Sequence, residues 1–426
     1  MNGTRSDEDD GRTPATSGPF GCIADDYTGA TDVASGLRRH GLRTVLRFGE
    51  PPPDAAAAAA DAIVVALKTR TAAPEDAVAR SLAAQRWLDA QGARCIYFKY
   101  CSTFDSSERG NIGPVADALL DAVGAHMAVV CPASPEHGRT IYQGHLFVWD
   151  QPLAESPMRH HPLTPMTDSN LLRLLSRQTP HPVGLVAHDV VRQGAGAVAA
   201  RLAALDAEGV RYAVVDAVSD DDLGAVAAAC ATSRLVTGAA GLAWTLGRLA
   251  GRMGAEAAAR EAPLPDGPAL ILAGSCSAAT LEQVGIARDR VPSLKLDPRG
   301  AAHDFGGDAI RWFDEHFDGR PLLVYSSAPP EERRNGSADV AARVEAALAA
   351  LASHAVARGV RRLVVAGGET SGAVVDALGI RSVTVAGEED TGVPWLVHAQ
   401  PSLALLLKSG NLGRPDLFLR AVEGAA

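Results

Sequence analysis

Aromatic residues are scarce in this chain, at 5% of 426 residues. That leaves little with which to stack the bases of a single-stranded nucleic acid. Cations are outnumbered as well: 40 Lys and Arg against 50 Asp and Glu give a net charge of −10. No excess of positive charge is available for a phosphate backbone, so nucleic acid is not an expected partner. The six cysteines, Cys22, Cys95, Cys101, Cys131, Cys230 and Cys276, are widely spaced and form no C-x-x-C pair. This points to free, mostly buried thiols in a reducing compartment. No H-x-x-x-H spacing supports a zinc site. No apolar stretch is read as reaching the ~20 residues of a membrane span. The opening MNGTRSDEDDGRTPATSG has no apolar h-region and does not read as a secretory signal. Residues 1–18 are expected to be a disordered lead-in to a cytoplasmic protein with no membrane partner.

What is present fits a large soluble core, with 47% hydrophobic and 21% charged residues. The length favours two domains. Short apolar runs such as FGCIA, AIVVALKTR, CIYFKY, MAVVCPA and RYAVVDA alternate with Ala-rich helical patterns. That alternation predicts an α/β fold of two domains, each with a mainly parallel sheet flanked by helices. Residues 19–250 form the first expected domain and 269–426 the second. The polar, Ala- and Pro-rich segment 251–268 reads as a linker between them. The low-complexity run at 55–62 is expected to carry no chemistry.

In CIADDYTGATD a buried strand ends in two adjacent carboxylates, Asp25 and Asp26, with a third, Asp32, shortly after. Ligands of open α/β sheets bind beyond such strand ends. One acid could cap the next helix, which leaves the second to be explained. A general base, a Mg²⁺ ligand and an acceptor for sugar hydroxyls are the readings open to it. FKYCSTFDSSERGNIG places Lys99, Ser102, Thr103 and Asp105 after another strand, a set suited to a small hydroxylated anion. His137 with Arg139, and Arg159 with two histidines, follow. Either arginine could fork onto a carboxylate.

The second half holds three glycine turns between strand and helix. They are Gly274-Ser275-Cys276-Ser277, the run Gly367 to Gly372, and Lys408-Ser409-Gly410-Asn411. Glycine allows close backbone approach, and a helix N-terminus offers free N–H groups to phosphate. Three such turns in one domain predict a polyphosphate site, with Lys408 as a cation for it. None matches the P-loop pattern. Glu388, Glu389 and Asp390 stand near enough in sequence to be considered for Mg²⁺.

Six stretches, ADDYTGATD, KYCSTFDSSERGNIGPV, CPASPEHGRTIYQGHLFV, MRHHPLTPMTDSNL, AGGETSGAVV and LKSGNLG, resemble signatures of the four-carbon acid sugar kinases, from about Phe20 to the C-terminus. The resemblance implies a sugar-acid domain followed by a nucleotide domain, with ATP between them and Mg²⁺ as cofactor. It implies transfer of phosphate to the C4 hydroxyl of a 3-oxo-tetronate, with 2-oxo-tetronate, erythronate and threonate as rival acids and a non-catalytic sugar-acid sensor as the rival class. By the same resemblance Ser275, Gly367, Gly368, Glu369, Thr370 and Gly410 contact ATP. Asp25 and Asp26 would divide proton acceptance and hydroxyl binding, in an order the residues leave open. Lys99, Ser102, Thr103, Asp105, Arg139 and Arg159 would hold the acid. A homo-oligomer is compatible with this reading. Since the acid motifs precede residue 250 and the phosphate turns follow 268, closure of two separately packed domains is expected.

Overall fold

Runs such as Phe20–Ala24, Ala62–Ala66 and Cys95–Lys99 are buried at every position, as strands covered by helices on both faces must be. The computed structural model describes residues 18–53, 60–161, 164–251, 263–297, 304–328 and 338–423. Most of the expected lead-in, of the alanine run and of the linker lies outside the described residues.

The strands Thr44–Phe48, Ala62–Ala66, Phe20–Ala24, Cys95–Lys99, Leu235–Gly238, Ala128–Cys131, Tyr212–Val215 and Val183–Val186 lie side by side, all parallel. In the second half Ser293–Lys295, Leu322–Tyr325, Ala269–Ala273, Arg362–Ala366 and Leu403–Lys408 make another parallel set. The halves do not pack separately. Val393–His398 and Ser382–Asp390 add on as antiparallel strands, and Ser382–Asp390 pairs with Thr44–Phe48. The result is one continuous 15-stranded sheet.

The joint reverses the strand direction of one half relative to the other. Neighbouring strands twist by about 20–25°. Six steps separate Phe20–Ala24 from Arg362–Ala366 in the sheet, so the directions swing back through roughly 120–150°. The carboxyl ends of both parallel sets therefore open onto one cleft. The helix Tyr27–Arg39 lies across this seam: Tyr27 Oη donates to Asp376 Oδ1 at 3.1 Å, and Thr31 Oγ1 to the Leu407 carbonyl at 3.5 Å.

The absence of any apolar stretch near membrane length is corrected as well. The helix Ala338–Ala357 contains an 18-residue window, Val340–Ala357, long and apolar enough by composition to cross a membrane. Its Val344, Leu348, Leu351 and Ala355 are buried in the protein core. Its hydropathy serves packing on both a neighbouring helix and the sheet. The cysteines are free, four of them buried.

Candidate active site

Asp25 follows the strand Phe20–Ala24 and is tied to both flanking strand ends. Its N–H donates to the Lys99 carbonyl at 3.0 Å, and its carbonyl accepts from Thr69 N–H at 2.9 Å. This register brings two cations to the acid pair. Arg70 donates to Asp25 through Nε (2.9 Å) and Nη2 (2.8 Å), and Nη2 also reaches Asp26 Oδ1 at 2.6 Å. Lys99 Nζ lies 3.1 Å from Asp26 Oδ1 and 3.9 Å from Asp25 Oδ1. Asp26 occupies the N-cap of the helix Tyr27–Arg39, yet its side chain accepts no backbone cap bond. It accepts instead from Thr28 Oγ1 at 2.9 Å. Two carboxylates thus sit together because two cations neutralise them. Burial pushes Asp25 above the usual carboxylate range, against the pull of Arg70. Burial also opposes the charge on Asp26, but Arg70 and Lys99 outweigh it and hold Asp26 well below that range.

The acids line a cleft of about 900 Å³. Lys99, Ser102, Thr103, Asp105 and Arg139 line it too. Thr103 Oγ1 donates to Asp105 Oδ1 at 2.6 Å, which holds that carboxylate in the lining. Arg139 stands on the first strand of a small antiparallel sheet, Arg139–Tyr142, His145–Val148 and Gln151–Pro152. Its guanidinium donates to the His137 carbonyl, its Nε has no hydrogen-bond partner, and no carboxylate pairs with it among the described residues. Burial pulls it down from its ordinary value. His137 accompanies it, with Nδ1 3.1 Å from Ser134 Oγ and Nε2 unpartnered.

Arg159 is not among them. It is exposed, donates to the Ala154 carbonyl at 3.0 Å, and lies outside the cleft lining, whereas its neighbours Met158 and His161 are in it. Its place in a short 3-10 turn, Pro157–His160, aims the side chain outward.

Across the seam the three glycine turns meet. Gly368 and Glu369, at the start of the helix Gly368–Ala377, line the cleft with Ala278, Ser409 and Asn411. Gly367, at φ +122°, lies in the region that favours glycine. A methyl on it would come 3.1 Å from the Ser275 nitrogen, and one on Gly274 would come 2.1 Å from Thr370 Oγ1. Ser277 caps the helix Ala278–Arg288 and also donates to the Gly410 carbonyl. Ser275, Gly367, Thr370 and Gly410 therefore share one point of contact. Gly368 faces the acids, since a methyl there would stand 3.7 Å from Thr28 Oγ1.

Lys408 lies outside the cleft lining. It is fully buried, and its Nζ donates to Gln283 Oε1 (2.6 Å), Thr280 Oγ1 (2.9 Å) and the Gly410 carbonyl (3.1 Å). Gln283 Nε2 donates in turn to the carbonyls of Leu412, Gly413 and Arg414. The lysine shapes the turn from behind, and burial lowers it to about 7. The acids at 388–390 are likewise committed. Glu388 accepts from Ser35 and lies 3.5 Å from Arg39, Glu389 pairs with Arg420, and Asp390 pairs with Arg414 and Arg420.

Arg70 is the residue that sequence reasoning missed. Its signal was the pair of cations in LKTR beyond the strand Ala62–Ala66, whose in-register neighbour is Phe20–Ala24. Glu136 and Trp149 at the cleft mouth carried no signal.

Helix N-termini and glycine turns on one wall, and neutralised acids beside an unpaired cation on the other, define a small-molecule kinase. Residues 20–246 match the family model of a sugar-binding N-terminal domain, and 270–418 that of a nucleotide-binding C-terminal domain. A 3-oxo-tetronate kinase of Burkholderia multivorans is 51% identical, over 97% of this chain and 100% of its own length. One of Cupriavidus necator is 50% identical, over 95% of this chain and 96% of its own. A solved structure from Salmonella typhimurium LT2, provisionally described as a tRNA synthase, is 38% identical with a TM-score of 0.86, covering 96% of this chain and 100% of that one. The chain belongs to the four-carbon acid sugar kinase family.

The shared contact of the turns carries a prediction. A methyl on Gly410 would lie 2.3 Å from Ser275 Oγ. Overpacking of this kind costs about 1–3 kcal/mol, so Gly410→Ala should raise the KM for ATP by roughly 5–150-fold. Initial-rate kinetics should show the sugar-acid KM unmoved.

Proposed function

We propose that this enzyme transfers the γ-phosphoryl group of ATP to the C4 hydroxyl of a 3-oxo-tetronate, in the cytoplasm. The observation that carries the reading is Arg139, a cation with no carboxylate partner among the described residues, in a cleft whose Lys68, Arg70 and Lys99 are each paired with an acid. Such a group suits the C1 carboxylate of a small acid. Thr103, Asp105 and Ser102 would take the substrate hydroxyls. Asp26, the more exposed of the pair at 20% of its side chain against 5% for Asp25, would face the reacting end. Gly367 to Thr370, Ser275 and Gly410 would hold the phosphates across the seam. Lys99 is already neutralised by the acid pair, so it positions Asp26 and leaves the carboxylate to Arg139. The product would be a β-keto acid, which a decarboxylating enzyme could convert to a triose phosphate.

Mg²⁺ is the expected companion of ATP. Among the described residues no group of three or more His, Cys, Asp or Glu is arranged to hold it, and the acids at 388–390 are occupied by arginines.

ADP release tests the reading across 3-oxo-tetronate, 2-oxo-tetronate, erythronate and threonate. The highest kcat/KM is expected for 3-oxo-tetronate, with little ATP hydrolysis when no acid is present. Preference for another acid would overturn the substrate, and turnover with none of them would overturn the reaction.

A further inference from the structure

A kinase needs a group to receive the proton of the attacking hydroxyl, and the acid pair is poorly placed to do so. Asp25 is held by two Arg70 donors, and Asp26 accepts from Arg70, Lys99 and Thr28. Both oxygens of Asp25 are taken up by Arg70, and the cations hold Asp26 well below the usual range, which makes it a weak base. Glu388 accepts from Ser35 and from Gly392 N–H, and Glu136 pairs with Arg39.

Asp32 stands apart. It lies four residues beyond Thr28 on the helix Tyr27–Arg39, hence on the same face. It lines the cleft, and its Oδ1 is buried without a hydrogen-bond partner. A methyl on Gly392 would lie 2.6 Å from Asp32 Oδ1 and 3.4 Å from Leu412 Cδ1. Leu412 also lines the cleft, beside Asn411 of the nucleotide turn. Asp32 therefore sits on the seam where an acid bound by one half meets phosphate bound by the other.

We propose that Asp32 is the catalytic base, taking the proton of the substrate hydroxyl during phosphoryl transfer. The proposal rests on the kinase reading above. The hydroxyl oxygen forms a bond to the γ-phosphorus, the bond from that phosphorus to the β-bridging oxygen breaks, ADP leaves, and the proton passes to Asp32 and then to solvent. The groups facing Asp32 are Lys99, Glu388, Glu136 and Asp26. Burial, reinforced by the three acids and opposed by Lys99, pushes Asp32 up to about 8. A base must be deprotonated to act, so kcat/KM should rise with pH through a midpoint near 8. Were Asp26 the base, the limb would lie below pH ~4.

The experiment compares wild type with Asp32→Asn and Asp32→Glu across pH. Asp32→Asn should lower kcat by about 10²–10⁴, lose the limb near pH 8, and keep its affinity for the acid by calorimetry. Because a buried unpartnered charge is removed, its melting temperature above pH 8 should rise. Asp32→Glu should recover part of the rate and the limb. Gly392→Ala, which leaves the carboxylate in place but crowds it at φ +72°, should lower kcat more than it raises the acid KM. An active wild type with an Asp32→Asn variant of unchanged kcat and pH profile overturns the proposal alone. So does recovery of that variant at high Mg²⁺, which would make Asp32 a metal-holding group. A wild type inactive toward every four-carbon acid overturns the kinase reading as well.

Discussion

Arg139→Met is expected to cut kcat/KM for the sugar acid by roughly 30- to 4,000-fold, while the KM for ATP stays within twofold. The lower bound and the upper bound follow from the about 2–5 kcal/mol lost when one partner of a buried, hydrogen-bonded charge pair is truncated. Arg139 has no carboxylate to neutralise it in the described structure, so its charge is available to substrate. Methionine keeps much of the stem and removes the fork. Lysine should restore only part of the loss, because a point charge cannot make the paired contact of a guanidinium. Steady-state kinetics with both substrates varied would decide it. A variant whose acid KM does not change would mean that the carboxylate binds elsewhere.

Asp25→Ala should destabilise the protein by about 3–5 kcal/mol in urea unfolding at pH 7, the range for removing one member of a buried ion pair. Asp25 is 4% exposed and carries both donors of Arg70. Removing it leaves the guanidinium with Asp26 alone. Asp26→Ala should cost less, because its side chain is more open to water and Arg70 would keep its bidentate partner. The pH dependence has a definite sign. Asp26 is held below its unfolded value by Arg70 and Lys99. Its stabilisation is therefore complete above pH ~4 and is lost as pH falls through the lower folded value. Equal effects of the two substitutions would contradict the arrangement described here.

Much of this was legible in the chain because the signals are local. A buried run followed by two acids marks a strand end, and Gly-Gly-Glu-Thr-Ser-Gly between a strand and a helix marks a turn that backbone N–H groups can serve. The parallel character of both strand sets followed from the alternation of apolar runs with helices. What was not legible depends on pairing between distant segments. Arg70 stands 45 residues from Asp25 and meets it only because Ala62–Ala66 lies beside Phe20–Ala24. Lys408 reads as a phosphate ligand by position, yet the helix Ala278–Arg288 buries it against Gln283 and Thr280. Arg159 and the acids at 388–390 look free in sequence, where a partner such as Arg420, some thirty positions away, cannot be seen. The same limit hid the union of the two halves, since the pairing of Thr44–Phe48 with Ser382–Asp390 spans most of the chain.

That pairing bears on how the protein can be divided. Cutting the chain near residue 260 would bare Thr44–Phe48 on one fragment and Ser382–Asp390 on the other. Each is a strand whose backbone N–H and C=O groups bond across the joint in the intact chain. Unpaired edges of this kind template association with other chains. Fragments expressed alone should aggregate, and the two expressed together should find each other through the same ladder. On that expectation each half depends on the shared border to keep its edge strand covered.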